Sequence, residues 1–201
     1  MVENNPWLTS ANADNDGVEA EPVEVVSGPA HPSGPTAPQA GITASGALLP
    51  RRPVTVPARL WWVGVHGGAG ERTLAALLEG SRAAVHAWPE VAISVTFRPQ
   101  AVLVARTHAR GLLAAQAAAT EWASGYSGVD LLGLVLIADA PGRLPRPLRD
   151  LAKLVSGGVP RVWNVPWIEA WRLGESPTLD AAPKPVRAMI SDLADLAPIV
   201  E

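Results

Sequence analysis

From residue 58 onward, short continuous apolar runs alternate with stretches whose apolar positions recur at helical spacing. Leu60-Trp61-Trp62-Val63-Gly64-Val65, Ala101-Val102-Leu103-Val104-Ala105, Leu131 to Ala138 and Arg161 to Val165 are read as strands, the apolar runs suited to burial on both sheet faces. A helix is expected over Glu71 to Ala87, with Leu74, Leu77, Leu78 and Val85 along one face. A second, Ala-rich helix is expected to start from a Thr107 N-cap and to stop at Ser124-Gly125. Pro145 to Val155 reads as a third helix closed by Gly157-Gly158, Trp167 to Leu173 as a turn or short helix, and Val186 to Leu196 as the last helix. Such alternation with buried strands predicts an α/β fold: a mostly parallel sheet with flanking helices and right-handed crossovers.

The first 55 residues break this pattern. Pro22, Gly28, Pro29, Pro32, Gly34, Pro35 and Pro38 are scattered among acids, with little apolar periodicity. Such a segment buries too little apolar surface to offset roughly 1–2 kcal/mol of backbone entropy per residue. The expected organisation is a disordered acidic arm over residues 1–55, an idle tail whose one apolar spot is Trp7-Leu8, followed by an α/β domain over residues 56–201.

Charge sharpens the division. Residues 1–50 hold Glu3, Asp14, Asp16, Glu19, Glu21 and Glu24 and no Lys or Arg; against a net charge of -3 for the whole chain, the remainder is weakly basic. That excess is too small to indicate nucleic-acid binding. With no cysteine, disulfide frameworks, thiolate metal sites and Cys nucleophiles are excluded, and His31, His66, His86 and His108 are too scattered to read as a metal cluster. Leu131 to Ala138 is the longest strongly apolar run, far short of the ~20 residues that span a bilayer. The opening Met-Val-Glu-Asn-Asn has neither a basic nor an apolar leader pattern, so the expected location is cytoplasmic, away from membranes.

The most informative stretch is Val65-His66-Gly67-Gly68-Ala69-Gly70-Glu71-Arg72-Thr73, set between the first strand and the first helix. Glycines there let backbone N–H groups converge on an anion at a helix start. The stretch resembles the deviant Walker A loop of MinD/ParA-type P-loop ATPases, Lys-Gly-Gly-x-Gly-Lys-Thr/Ser. Gly67, Gly68 and Gly70 match, whereas His66 stands where that family has its signature lysine, Glu71 replaces the phosphate-gripping lysine, and Arg72 replaces the magnesium-holding hydroxyl; Thr73 matches a frequent second Thr. A carboxylate about 4 Å from a phosphate oxygen is repelled by on the order of 4 kcal/mol at an effective dielectric near 20. The same carboxylate at a helix start gains roughly 0.3–1 kcal/mol. Glu71 is therefore expected to satisfy the anion site internally.

Later segments extend the resemblance. Val102 to Thr107, Leu132 to Asp139 and Val162 to Trp167 resemble, in order, the family's strand with a Thr-rich turn, its Leu-x-Gly-Val-Val-Leu-Asn strand, and the strand whose following Pro166-Trp167 would lie near adenine. Asp139-Ala140-Pro141-Gly142 also resembles a Walker B and switch II segment, a competing alignment that would put Asp139 near a water-bound metal. Under the first alignment the interval from His86 to Gln100 is too short for switch I and Walker B. The blocks from Ala138, Gly157 and Pro166 resemble an uncharacterised actinobacterial domain family that pairs them with a Gly-Gly-Ala-Gly loop.

The resemblance implies a reduced P-loop NTPase-like three-layer fold without hydrolysis, acting as a binding or regulatory module for an unknown protein partner. Its vestigial nucleotide site would comprise His66, Gly67, Gly68, Ala69, Gly70, Glu71, Arg72, Thr73, Asp139, Pro166 and Trp167. One alternative is an ATPase that binds ATP or ADP through Arg72 or a partner's residue in place of the missing lysine. Another is an interaction domain that takes no nucleotide. Two further groupings stand out in the sequence. Arg106-Thr107-His108 ends a strand where α/β folds place ligands. Trp163, Trp167 and Trp171, with Arg143, Arg146, Arg161 and Arg172 nearby, form either core cover or an aromatic shelf.

Overall fold

The computed structural model describes residues 32–44, 48–91 and 98–198. The main sheet contains β2 (Leu60–Gly64), β3 (Ser81–Ala83), β5 (Gln100–Arg106), β6 (Asp130–Ile137) and β7 (Val162–Val165), in the order β3-β2-β5-β6-β7. Every neighbouring pair is parallel. A smaller parallel pair joins β1 (Arg51–Pro53) to β4 (Trp88–Glu90). The helices are α1 (Glu71–Ala75), α2 (Ala109–Ala123), α3 (Arg146–Ser156), α4 (Glu169–Arg172) and α5 (Lys184–Leu196).

Period-two alternation sorts the strand side chains between two cores. Trp61, Val63, Leu103, Leu134 and Leu136 pack with Leu112, Ala115 and Trp122 of α2 and Val155 of α3. Trp62, Val102, Val104, Val135 and Trp163 pack with Leu74 of α1 and Val186, Met189, Ile190 and Leu193 of α5. The result is a three-layer α/β fold. As expected of successive strand residues, Trp61 and Trp62 face opposite layers. Trp163 is core, its indole N–H donating to Asp192 Oδ2 at 3.2 Å. Counted along the chain, the main sheet runs 2-1-3-4-5, a doubly wound order whose switch point lies between β2 and β5.

The helix expected over Glu71 to Ala87 is corrected: α1 spans only Glu71–Ala75. Leu74, Leu77 and Leu78 are buried, as their spacing implied. The Leu77 N–H then bonds Leu74 O, and Gly80 adopts φ +74°. The Ser81 hydroxyl donates to Leu78 O at 2.7 Å and accepts from the Trp62 indole at 2.9 Å. Beyond this cap the chain joins β2 as edge strand β3, because the sheet offers three residues a parallel ladder that a lengthened helix would forgo. Val85 and His86 then adopt φ +55° and +54°, a conformation strained for a β-branched residue.

Within the expected arm over residues 1–55, the described residues 32–44 and 48–55 contact the domain. Ser33 and Gly34 donate to Pro160 O, Gln39 donates to Ala123 O, and Ile42, Leu49 and Val54 pack on the α2 side of the core. Trp7-Leu8 and the six acids lie outside the described residues. The N-terminal segment is anchored by Glu121 of α2, which is only 2% exposed. Both its oxygens accept from Leu49 N, at 3.1 and 3.0 Å, and Oε2 also accepts from the Trp88 indole at 2.7 Å. A buried carboxylate so supplied with donors fastens β1 and β4 to α2.

Glu121→Ala should therefore strand one buried and one half-buried N–H group and lower stability by about 3 kcal/mol, with Glu121→Gln intermediate, as read by urea unfolding of the two variants.

Candidate functional site

At the carboxyl edge of the sheet, β2 and β5 are neighbours whose chains leave to opposite layers, α1 to the α5 side and α2 to the α3 side. In doubly wound sheets ligands bind at this parting. Backbone pairing persists to Val65, whose N–H donates to Val104 O at 3.0 Å. The next donor, Arg106 N–H, reaches the His66 ring instead, bonding Nε2 at 3.0 Å. Because a backbone N–H only donates, Nε2 carries the lone pair; Nδ1 then carries the proton and donates to Gly67 O at 2.9 Å. His66 is thus a neutral imidazole with an assigned tautomer.

The neighbouring ring is similarly committed. His108 Nδ1 accepts from Gly111 N at 2.9 Å and is the N-cap of α2. The expected cap, Thr107, instead accepts from Asp139 N through Oγ1 at 3.1 Å, tying β5 to the turn after β6. A histidine one residue on outcompetes it because the turn after β6 needs an acceptor and Thr107 faces it. The rings of His66 and His108 stand 4.9 Å apart and tilted by 54°. Gly111 permits this approach, since a Cβ there would lie 2.3 Å from Arg106 O and 2.9 Å from His66 Nε2.

Arg106 spans the parting. Its Nη1 donates to Ala138 O at 3.0 Å and its Nε approaches Gly68 O at 3.5 Å. Burial holds its pKa below the ordinary arginine value; Asp139 raises it and Arg172 lowers it further. The structure thereby brings His66, Gly67, Gly68 and Asp139 together with Arg106, Thr107 and His108.

Glu71 corrects an expectation. It is 4% exposed, but its carboxylate does not fill the glycine turn. It turns back to β2, where Oε2 accepts from Gly64 N at 2.6 Å, and Oε1 lies 3.5 Å from His86 Nδ1. Gly64 makes room, as a Cβ there would sit 2.8 Å from that oxygen. The strained turn at Val85 and His86 delivers the His86 ring, whose Nδ1 also lies 3.0 Å from Gly64 O. Nothing in the strand pattern marks His86 as Glu71's neighbour; the helix expected there would have placed it elsewhere.

The remaining residues of the expected site divide. Ala69 is buried, Arg72 is exposed and Thr73 is half-buried on α1. Gly70 takes φ +107° as the α1 N-cap, a left-handed backbone that favours glycine, and a Cβ there would also meet the Ile137 Cδ1 at 2.7 Å. Asp139 follows β6, which β5 separates from β2. Pro166 and Trp167 follow the far edge strand β7, and the Trp167 indole donates to Glu169 Oε2 at 2.6 Å. Sequence reading placed Arg106 at a strand end but missed its bridging role and Gly111. A glycine inside an otherwise Ala-rich helix was the available signal of close approach. Among the described residues, no group of three or more His, Asp or Glu side chains is arranged to hold a metal.

Fold and site together define a doubly wound α/β domain whose switch point is closed by histidine and arginine side chains. Residues 58–190 match DUF6668, a family of unknown function, and the chain belongs to that family. No curated protein and no solved structure matches the chain.

Gly111→Ala tests the packing at the parting: helix propensity alone favours alanine by about 1 kcal/mol. The approach to Arg106 O should reverse the sign and give a net loss of about 2 kcal/mol, measured as a lowered unfolding midpoint.

Proposed function

We propose that this domain is a non-hydrolysing binding module of P-loop-like descent, with its binding face at the carboxyl edge around Gly67, Gly68, Arg106 and Asp139. The observation that supports this most is the commitment of the two charged groups nearest the glycine turn. The Glu71 carboxylate is taken up by Gly64 N–H and approached by His86. The Arg106 guanidinium reaches toward two loop carbonyls. A nucleotide's phosphates would need a cation where Glu71 stands, and recruiting Arg106 would sacrifice charge-assisted hydrogen bonds worth roughly 1.5–3 kcal/mol each. Arg72, in the place of the metal-holding hydroxyl, offers magnesium no oxygen.

The exposed groups near this edge favour an acidic protein partner. Arg72 and Arg172 are exposed there, and Asp139 is already drawn toward Arg106. Arginine side chains commonly supply anchors of a protein interface. The alternative reading, a nucleotide-binding ATPase, draws on exposed Arg72 or a partner's residue in place of the missing lysine.

Purified protein given magnesium and ATP should turn over nucleotide at the background rate, and calorimetry with ATP, ADP and GTP should stay silent to millimolar ligand. Magnesium-dependent turnover that Gly70→Asp abolishes would overturn the non-hydrolysing reading. Micromolar affinity would instead establish the nucleotide-binding alternative.

A further inference from the structure

We propose that His66 and His108 form an acid-operated latch: the neutral His66 ring ties the glycine turn to the end of β5 and packs against His108, the neutral cap of α2, so that proton uptake by His66 frees the turn and proton uptake by His108 releases the cap. The latch exists whatever the domain binds; its consequence for binding rests on reading the carboxyl edge as the binding face.

The argument is one of lone pairs. His66 Nε2 accepts from Arg106 N–H and His108 Nδ1 accepts from Gly111 N–H. Neither backbone donor can reverse its role, so each ring must keep an unprotonated nitrogen at that contact. An imidazolium would set N–H against N–H. In one case the bond extending the β2–β5 ladder past Val104 is lost; in the other, α2 loses its cap. With centroids 4.9 Å apart, a proton on one ring also opposes a proton on the other. Three of the four ring nitrogens are thus engaged in hydrogen bonding, a commitment unsuited to a metal pair and suited to a proton-sensitive joint.

The surroundings set the direction of the response. Around His66 stand the Gly67 carbonyl of its own turn, the Arg106 guanidinium from β5, the His108 ring from α2, and His86 from the turn after β3, itself beside Glu71. Arg106 in turn faces Asp139 and Arg172. Burial is the largest influence and lowers the His66 pKa below its usual 6.5; the Gly67 carbonyl opposes it, and the charges of His108, His86 and Arg106 reinforce it. Since the folded value lies below the unfolded one, the ring's contribution to the closed turn is fully present above 6.5 and is lost as pH falls through the lowered value. Gly67 and Gly68 are exposed and Gly111 leaves no side chain in the way, so the freed tip of the turn can move while Ala69 stays packed in the core.

The test is an NMR titration of the full chain from about pH 8 to about pH 5, following imidazole nitrogens and amide exchange. At the upper end His66 should be the Nδ1–H tautomer and His108 the Nε2–H tautomer. His66 should titrate below the usual histidine value, and the Arg106 amide should exchange about tenfold faster, after correction for intrinsic rates, as it does so, with the Gly111 amide responding in the same way to protonation of His108. His108→Asn keeps a side-chain acceptor that does not titrate; in it the Gly111 amide should lose its pH response while the Arg106 amide keeps it. Rings that titrate while both amides stay unmoved would overturn the latch, as would an unchanged Gly111 response in His108→Asn. Should that variant fail to fold, the wild-type titration decides alone. Every readout is free of ligand, so silence toward nucleotides or partners bears on the binding reading and not on this one.

Discussion

Beyond Val65 and Val104, the chains continuing β2 and β5 part to opposite layers, and a side chain takes over the pairing between them. The His66 ring accepts the Arg106 N–H that has lost its backbone partner, while the Arg106 side chain reaches toward Gly68 O and Ala138 O. A buried or half-buried N–H without an acceptor forfeits roughly 1–3 kcal/mol. The parting of a doubly wound sheet concentrates such orphans because its ladder ends while the chains are still close. Here imidazole and guanidinium groups occupy the place where relatives of this architecture hold a ligand.

This constraint explains the other features of the carboxyl edge. The His66 ring needs α2 to approach without a side chain, hence Gly111. His108 caps the same helix, leaving Thr107 to serve the turn after β6. Below, Glu71 meets Gly64, whose missing Cβ admits the carboxylate, and the left-handed turn at Val85 and His86 brings a second imidazole to it. Gly64 and Gly111 thus have packing roles of their own, independent of any phosphate, whereas a Cβ at Gly67 or Gly68 would meet nothing within 4 Å.

The fold class was legible because burial on both faces forces continuous apolar strands. Leu60-Trp61-Trp62-Val63 and Val102-Leu103-Val104 can hardly be read otherwise. What misled was the span from Glu71 to Ala87. Leu74, Leu77 and Leu78 carry a genuine helical face, yet Gly80 and the Ser81 cap divert the chain into edge strand β3. Periodicity reports which residues are buried; it does not report whether a neighbouring strand competes for their backbone groups. The described residues before 56 depart from the expected arm for a related reason. Polar and proline-rich composition measures how little a segment buries by itself, whereas Ile42, Leu49 and Val54 bury against α2 and its surroundings, with Glu121 supplying a buried acceptor.

The candidate site shows the same boundary. By itself, the order of residues determined that a glycine turn joins a buried strand to a helix, that it lacks the lysine and hydroxyl of the loops it resembles, and that Arg106-Thr107-His108 ends a neighbouring strand. Those are properties of local spacing and side-chain chemistry. Only the tertiary structure decided where the charges and lone pairs go: Glu71 to Gly64, Arg106 toward the loop carbonyls, and the rings of His66 and His108 to two backbone donors. These contacts join residues as many as 40 positions apart. They exist because adjacent strands bring chain ends together whose unpaired backbone groups must find partners, a requirement that local sequence pattern does not express.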